Sequence, residues 1–449
     1  MISLYDSASG EVRALEPLEP GVVSMYVCGP TVYEVPHLGH GRFSLVFDVL
    51  RRYLLWSGFD VRYVSNITDV DDNIINRANR EGRSSADVVA EYEAVWWDVM
   101  DRLGVMRPTF DPHATAYVEA MVTFVSTLVE SGAAYVLDDG VYFAVTSVDD
   151  YGLLARQSLD SLRSGARVDV LDGKRSPQDF ALWKLAKSDE PAWPSPWGPG
   201  RPGWHTECVV MATDLLGPTF DIHGGGQDLR FPHHENERAQ ARAAGSAFAR
   251  HWVHNGFVEV DGEKMSKSLG NFRTLVDLLA ETDARAYRLL VLRAHYRSPI
   301  EITRDTTADA ERALERLDAF GRRAANVAVA EPDGAVLQQF RAAMDADLDT
   351  AGAIALLFDT IRRANVALDA GDETAAAPLI AAAREIVAAV GLEIADDSVV
   401  LDAATAALVA ARDVARAARD WPEADRLRDE LAAMGWTVSD TASGTSIHR

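Results

Sequence analysis

VVSMYVCGPTVYEVPHLGHGRF, residues 22–43, is the stretch on which the reading of the whole chain turns. Val22, Val23, Met25, Tyr26 and Val27 form a short, apolar, β-branched run of the kind that makes a buried strand. The run stops at Cys28-Gly29-Pro30, a turn signal. After a polar loop, His37-Leu38-Gly39-His40-Gly41 leads into Phe43, Val46, Leu50, Tyr53 and Leu54, which recur at helical spacing. Strand, glycine-bearing turn and helix start together make a site for nucleotide phosphates, because N–H groups at a helix N-terminus point outward and favour anions. Gly39 leaves room for a nucleotide against the backbone, and His37 and His40, three apart, can both donate to a triphosphate. On spacing alone they could equally be two solvent-facing loop histidines.

Working outward, residues 1–20 carry Pro17 and Pro20 and read as a lead-in strand and turn; Gly58 caps the first helix. Phe59–Ser65 is a second strand, ending in Asn66-Ile67-Thr68-Asp69-Val70-Asp71-Asp72-Asn73, where Asp69 or Asp71 can cap the next helix. The alternation predicts a parallel sheet with ligands at the carboxyl ends of its strands. Residues 85–132 are helical, with Trp96-Trp97 as core, and Ala134–Leu137 with Val141–Val145 form a hairpin. Residues 120–195 read as an insertion between two halves of the sheet. The stiff loop 191–203 then delivers the chain to Trp204-His205-Thr206-Glu207-Cys208.

Phe220–His223 is a further strand, followed by Gly224-Gly225-Gly226-Gln227-Asp228, glycines that allow close backbone approach to a ligand. A helix opening near Pro232 puts His233 and Glu237 on one face; His234 stands i, i+3 to Glu237, so spacing does not choose between the histidines. His251–Val260 reads as one strand, turning at Asp261-Gly262. Arginine replaces lysine nearly everywhere, yet Lys264 and Lys267 both fall in Lys264-Met265-Ser266-Lys267-Ser268-Leu269-Gly270-Asn271, where paired ammonium groups suit a polyphosphate leaving group. Residues 275–430 are alanine-rich amphipathic helices of a bundle. Towards its end come Arg412, Arg416 and Arg419, on one face, and Arg426 and Arg428.

A chain of 449 residues is too long for one ordinary domain. Its net charge of −24 opposes broad, non-specific nucleic-acid binding, though not a local basic groove. The two cysteines, Cys28 and Cys208, do not make a disulfide scaffold. No apolar run reaches the roughly 20 residues of a spanning helix, and the N-terminus has no export signal, so a soluble, cytoplasmic protein is expected.

HLGH (37–40) followed by KMSKS (264–268) resembles the paired signatures of class I aminoacyl-tRNA synthetases. CGPTVYEVPHLGHGR, NITDVDDN, DFALWK, GRPGWHTEC, DIHGGGQDLRFPHHENERAQ and DGEKMSKSLGN are similar to the cysteinyl-tRNA synthetases, as is ARAARDWPEADRLRDELAAMGWTVSDT near the end. The resemblance implies an α/β fold. A Rossmann-type parallel-sheet catalytic domain (1–120 and 195–275) would be split by a connective insertion (120–195). Linker helices (276–320), an all-α bundle (321–405) and a small anticodon-binding segment (406–449) would follow. It implies one Zn²⁺ held by Cys28, Cys208, His233 and Glu237, thereby selecting His233. It places His37, Gly39, His40, Lys264, Lys267 and Asp228 around ATP, which is a substrate accompanied by Mg²⁺. Gly29, Thr68, Trp204 and His223 fall in the amino-acid pocket, and Arg412, Arg416, Arg419, Arg426 and Arg428 are candidates for tRNA contact.

The implied reaction activates L-cysteine as an adenylate and transfers it to the terminal ribose of tRNA(Cys), by a monomeric enzyme that uses no membrane. Zinc would separate cysteine from serine by taking the thiolate, a discrimination that a hydrophobic pocket makes poorly. Two departures stand out: Asn73 where the family usually has lysine, and Ser446-Ile447 after Gly444-Thr445 where it often has an aromatic. Two other functions compete with this one. A ligase of the mycothiol pathway, joining cysteine to an aminosugar on the same catalytic domain, has no need of the long helical tail. A non-catalytic paralogue has no need of intact HLGH and KMSKS.

Overall fold

The computed structural model describes residues 1–157, 173–188, 190–260, 263–264, 273–394, 403–441 and 444–448. Lys267, the Asp261-Gly262 turn and residues 265–271 of the lysine loop lie outside them. Two compact units are present: residues 1–314 with 328–393, and residues 315–327 with 394–449.

The first unit opens with the antiparallel hairpin β1 (Ser3–Asp6) and β2 (Glu11–Ala14). The quoted stretch forms β3 (Val22–Val27) and α1 (Leu38–Trp56), and β4 (Asp60–Val64), α2 (Asp72–Glu81), α3 (Ser85–Arg102) and α4 (Val118–Glu130) follow. Helix α1 is apolar on most sides and buried over Phe43–Leu50, so it runs through the core rather than over the surface. A Cβ added at Gly41 would come within 2.8 Å of Leu275, which is how closely the chain is packed on α1.

Strands β5 (Ala134–Leu137), β6 (Gly140–Phe143), β7 (Phe180–Leu185) and β8 (Gly200–Pro202) make a separate antiparallel sheet. The chain then returns through α5 (Trp204–Leu216), β9 (Thr219–Gly226), α6 (Glu235–Ala243) and β10 (Phe248–Asn255). The main sheet is parallel throughout, in the order β10-β9-β3-β4. Strand order reverses between β3 and β9, and in open sheets of this kind ligands bind in the crevice beyond that point. Cys28 directly follows β3 and Gly224–Gly226 end β9, and the Cys28 amide donates to Gly224 O at 3.2 Å, so the quoted turn and the glycine run meet there.

The expected single strand His251–Val260 is two strands. β10 stops at Asn255, and β11 (Val258–Val260) joins β12 (Glu263–Lys264) and β13 (Ile300–Glu301). The break falls at Gly256, where a Cβ would lie 2.6 Å from the Arg297 and Ser298 carbonyls; only glycine lets the backbone cross there. Helices α7 (Leu275–Glu281) and α8 (Ala284–Leu292) pack on α1. After α9 (Arg304–Ala324) come α10 (Gly334–Asp345), α11 (Thr350–Asp369) and α12 (Glu373–Ala389). These three helices, the expected all-α bundle, pack on one another within the first unit.

The second unit holds α13 (Ala403–Ala417), α14 (Trp421–Ala433) and the hairpin β14 (Thr437–Thr441) with β15 (Gly444–His448). Leu431 and Trp436 anchor its small core. Among the described residues no helix is long and apolar enough to cross a membrane.

Candidate active site and metal centre

A cavity of about 410 Å³ opens at the switch point, lined by residues that include Cys28, Gly29, Trp204, His37, His40 and Asp228. The two histidines arrive on the N-terminus of α1. His37 Nδ1 accepts the Gly39 amide at 3.0 Å, and His40 Nδ1 accepts the His37 amide at 3.1 Å. Each ring therefore carries its proton on Nε2 when neutral. Burial keeps both neutral: it pulls His37 below its ordinary value, against Asp228, and His40 well below, with His37 adding to the effect. The site thus presents two neutral N–H donors beside the positive end of a helix dipole. Trp96, expected as core, is buried and packs edge-on to His40; Trp97 is half-buried under the Arg107 guanidinium.

Four residues from three stretches close a cage at the floor. Cys28 directly follows β3, Cys208 lies on α5, and His233 and Glu237 flank the start of α6; one ligand atom from each falls within 4.8 Å of the rest. Cys28 Sγ is 3.7 Å from Cys208 Sγ and 3.5 Å from Glu237 Oε1, and Cys208 Sγ is 3.7 Å from His233 Nε2. Two sulfurs about 2.3 Å from one tetrahedral ion stand about 3.8 Å apart, so the two cysteines are spaced as ligands of one zinc ion would be. His233 Nε2 and Glu237 Oε1, at 2.9 Å, are hydrogen-bonded and lie closer than two ligands of one ion would.

The cage's electrostatics also favour a cation. Burial alone would raise the Glu237 carboxyl, but the His223 and His233 imidazoles hold it well below the usual carboxylate range. The hydrogen bond from Cys28 brings the Cys208 thiol down to about 6 against its burial. Burial pulls His233 down, but the Glu237 and Cys208 charges raise it to about 10. Burial pushes the Cys28 thiol well up, so the anions here are Cys208 and Glu237, and the His233 imidazolium supplies the positive charge that an ion would otherwise bring.

The helix expected from Pro232 begins at Glu235, and His233 and His234 occupy an irregular turn before it. His233 turns to Cys208 and Glu237, while His234 Nδ1 meets His254 Nε2 at 2.8 Å. Trp204 stacks on His233 with ring centroids 4.0 Å apart. Thr68 and His223 are buried behind the cavity wall: the Thr68 hydroxyl donates to Glu207 Oε2 at 3.0 Å, and His223 Nε2 lies 2.7 Å from Glu237 Oε2. Of the two proposed caps, Asp71 caps α2, whereas Asp69 binds the Thr115 amide and hydroxyl instead.

Three supporting residues went unremarked in the sequence. Asn66 Oδ1 accepts the Gly29 amide at 2.9 Å and the Tyr26 hydroxyl at 3.1 Å. His205 meets His233 Nδ1 at 2.8 Å and, kept neutral by burial, fixes that ring. Glu207 holds Thr68, and burial followed by the Cys208 charge raises its carboxyl well above the usual range. His205 had a signal available, since it precedes Cys208 by three on a helix.

Arg412 corrects an expectation. Its side chain is 3 % exposed and donates to Thr445 Oγ1 at 2.6 Å, so it serves the fold of the second unit rather than offering a charge outward. Arg426 is engaged by Glu423 and Glu430, and Arg428 by Asp425 and Asp429, all on exposed surface. The Lys264 backbone ends β12.

The chain matches three family models. Residues 14–312 match the class I (C) tRNA synthetase catalytic domain, residues 339–395 a DALR domain, and residues 399–446 the cysteinyl-tRNA ligase anticodon-binding domain. The cysteine–tRNA ligases of Halorhodospira halophila and Thioalkalivibrio sulfidiphilus are each 47% identical, with 100% of both chains covered. In fold, the chain resembles Mycobacterium tuberculosis methionyl-tRNA synthetase bound by methionyl-adenylate, at a TM-score of 0.61 and 15% identity over 82% of this chain and 90% of that one.

Proposed function

The chain belongs to the cysteinyl-tRNA synthetase family, ATP-dependent ligases that join cysteine to tRNA, and on that premise we propose how its own residues divide the work. The observation that carries the reading is that Cys28 belongs both to the four-residue cage and to the wall of the cavity holding His37 and His40. An amino acid whose side chain reaches the cage therefore has its carboxylate directed toward the nucleotide.

Cys28, Cys208, His233 and Glu237 would hold zinc, which when bound supplies a borderline-soft Lewis acid for the substrate thiolate and none of comparable strength for a serine hydroxyl. His205 and His223 keep His233 and Glu237 aimed into the cage. Gly29 closes the pocket, while Thr68 and Asn66 brace that wall from behind, and Trp204 covers His233.

Activation is attack of the cysteine carboxylate on the α-phosphate of ATP, with pyrophosphate leaving. His37 and His40 donate from Nε2 to the charge that develops, Gly39 keeps the backbone clear, and Asp228 faces the nucleotide. Lys264 and Lys267 complete the charge on the leaving group, and Mg²⁺ accompanies the nucleotide. The terminal ribose hydroxyl of tRNA(Cys) then displaces AMP. The second unit reads the other end of the tRNA, with Arg416, Arg419, Arg426 and Arg428 as the phosphate-facing candidates. The enzyme acts as a cytoplasmic monomer.

Metal analysis together with cysteine-dependent ATP–pyrophosphate exchange tests this directly. One zinc per chain and exchange with cysteine but not serine are expected; metal-replete protein that exchanges neither would overturn the reading. Charging of tRNA(Cys), with no product on an aminosugar, separates the synthetase from the sugar ligase.

A further inference from the structure

Arg42 lies in α1 two residues beyond His40, and its side chain is 1 % exposed. Its hydrogen bonds all go to backbone carbonyls. Nη1 donates to Phe257 O at 2.5 Å; Nη2 donates to Tyr296 O at 3.1 Å and to Ser298 O, with His295 O at 3.5 Å. Among the described residues it forms no ion pair. A buried guanidinium spent on four carbonyls is a costly arrangement to maintain without a carboxylate.

The carbonyls belong to two crossing segments. Residues 256–258 line the cavity and continue as β11 and β12 toward the lysine loop, and residues 295–298 lie against them. The Gly256 amide donates to Tyr296 O at 2.8 Å, and Ile300 N donates to Phe257 O at 3.0 Å. The returning end of the same loop is bound to the same helix start: Leu275 N donates to Pro36 O at 2.8 Å and Leu38 N to Arg273 O at 3.4 Å. Phe257 on one side and Arg273 and Leu275 on the other thus bond to α1 or to the turn that leads into it.

We infer that Arg42 is a positioning residue for the activation step: its guanidinium fixes the departure of Phe257–Val260 from the cavity and so holds β11, on which the Lys264 backbone pairs, relative to the histidine-bearing helix start. The inference rests on the proposed roles of those histidines and lysines. Arginine suits the task because its planar fork spans acceptors on two segments at once, which a single ammonium does not. The cage is untouched by it.

Pyrophosphate exchange by Arg42→Lys and Arg42→Met, with active sites titrated and zinc measured, is the test. Expected is a loss of about 100-fold in kcat/KM for ATP in Arg42→Met, with partial rescue in Arg42→Lys and an unaltered KM for cysteine and zinc content. Gly256→Ala, which displaces the same segment from the other side, should give the same ATP-side loss, and the double variant should lose little more than either single one. If either folded variant keeps wild-type ATP kinetics per titrated site, or loses ATP and cysteine dependence alike, Arg42 has no such role. If the wild type itself performs no exchange, the underlying functional reading fails instead.

Discussion

His37 and His40 cap one helix between them, each ring accepting an amide of the other's turn, with the rings stacked 3.8 Å apart. Neither can be changed without loosening its partner. His40→Ala should lower kcat for pyrophosphate exchange by about 10²–10³-fold. It should also cost about 1 kcal/mol of stability through the lost cap. Steady-state kinetics and thermal unfolding read the two effects separately; full kcat would mean that the Nε2 donors do not face the reaction.

The cage makes a different claim. Cys208→Ser keeps the shape of the side chain but removes one of two soft ligands, so zinc should be lost and cysteine activation should fall at least about 100-fold. Metal analysis decides it, because a variant that retains one zinc per chain removes Cys208 from the site.

Gly29 is exacting for steric reasons. A Cβ there would lie 1.6 Å from the Asn66 carbonyl oxygen, so Gly29→Ala must part the end of β3 from the segment holding Thr68. The KM for cysteine should rise more than tenfold while the KM for ATP changes little. Equal changes in both would point to general loss of packing.

His254 supplies a pH test. Burial first, then the His223 and Arg230 charges, hold its imidazole at about 3, far below the ordinary value of about 6.5. Below pH ~6.5 the unfolded chain takes up a proton that the folded chain refuses. The stabilisation is therefore complete above that pH and is lost as pH falls toward 3, at about 1.4 kcal/mol per pH unit. His254→Gln should flatten the pH dependence of urea unfolding by one proton; identical slopes would mean that His254 is not held neutral.

Asp48 joins α1 to α8 and to the loop after α3: it accepts from Arg288 at 2.6 Å, from Arg52 at 2.9 Å and from the Met106 amide at 2.9 Å, all with the carboxylate buried. Asp48→Ala should destabilise the chain by about 3–5 kcal/mol, because it strands the Arg288 guanidinium. A drop in denaturation midpoint much smaller than this would show that water reaches the arginine.

Residues whose role follows from chain order or local period were legible in the sequence. β3, β4 and their turn, and the hairpin of β5 and β6, could be read in that way. His233 and His234 could not be separated by spacing, because the turn before Glu235 is irregular and helical periodicity does not hold there. Asn66 and His205 act through contacts with residues remote in the chain, which local pattern does not carry. Arg412 misled for the opposite reason: arginines on one helix face look alike in sequence, and only packing shows that this one faces inward.

β3 sits between β4, which directly follows it, and β9, which begins at Thr219. A ribosome therefore exposes the first thiol of the cage long before the other three ligands exist. A nascent chain halted short of residue 208 has one edge of its central strand unpaired and a lone cysteine, and it has nothing that would retain a metal. An ion that needs all four ligands would find them together only once synthesis has passed Glu237, in the sixth helix.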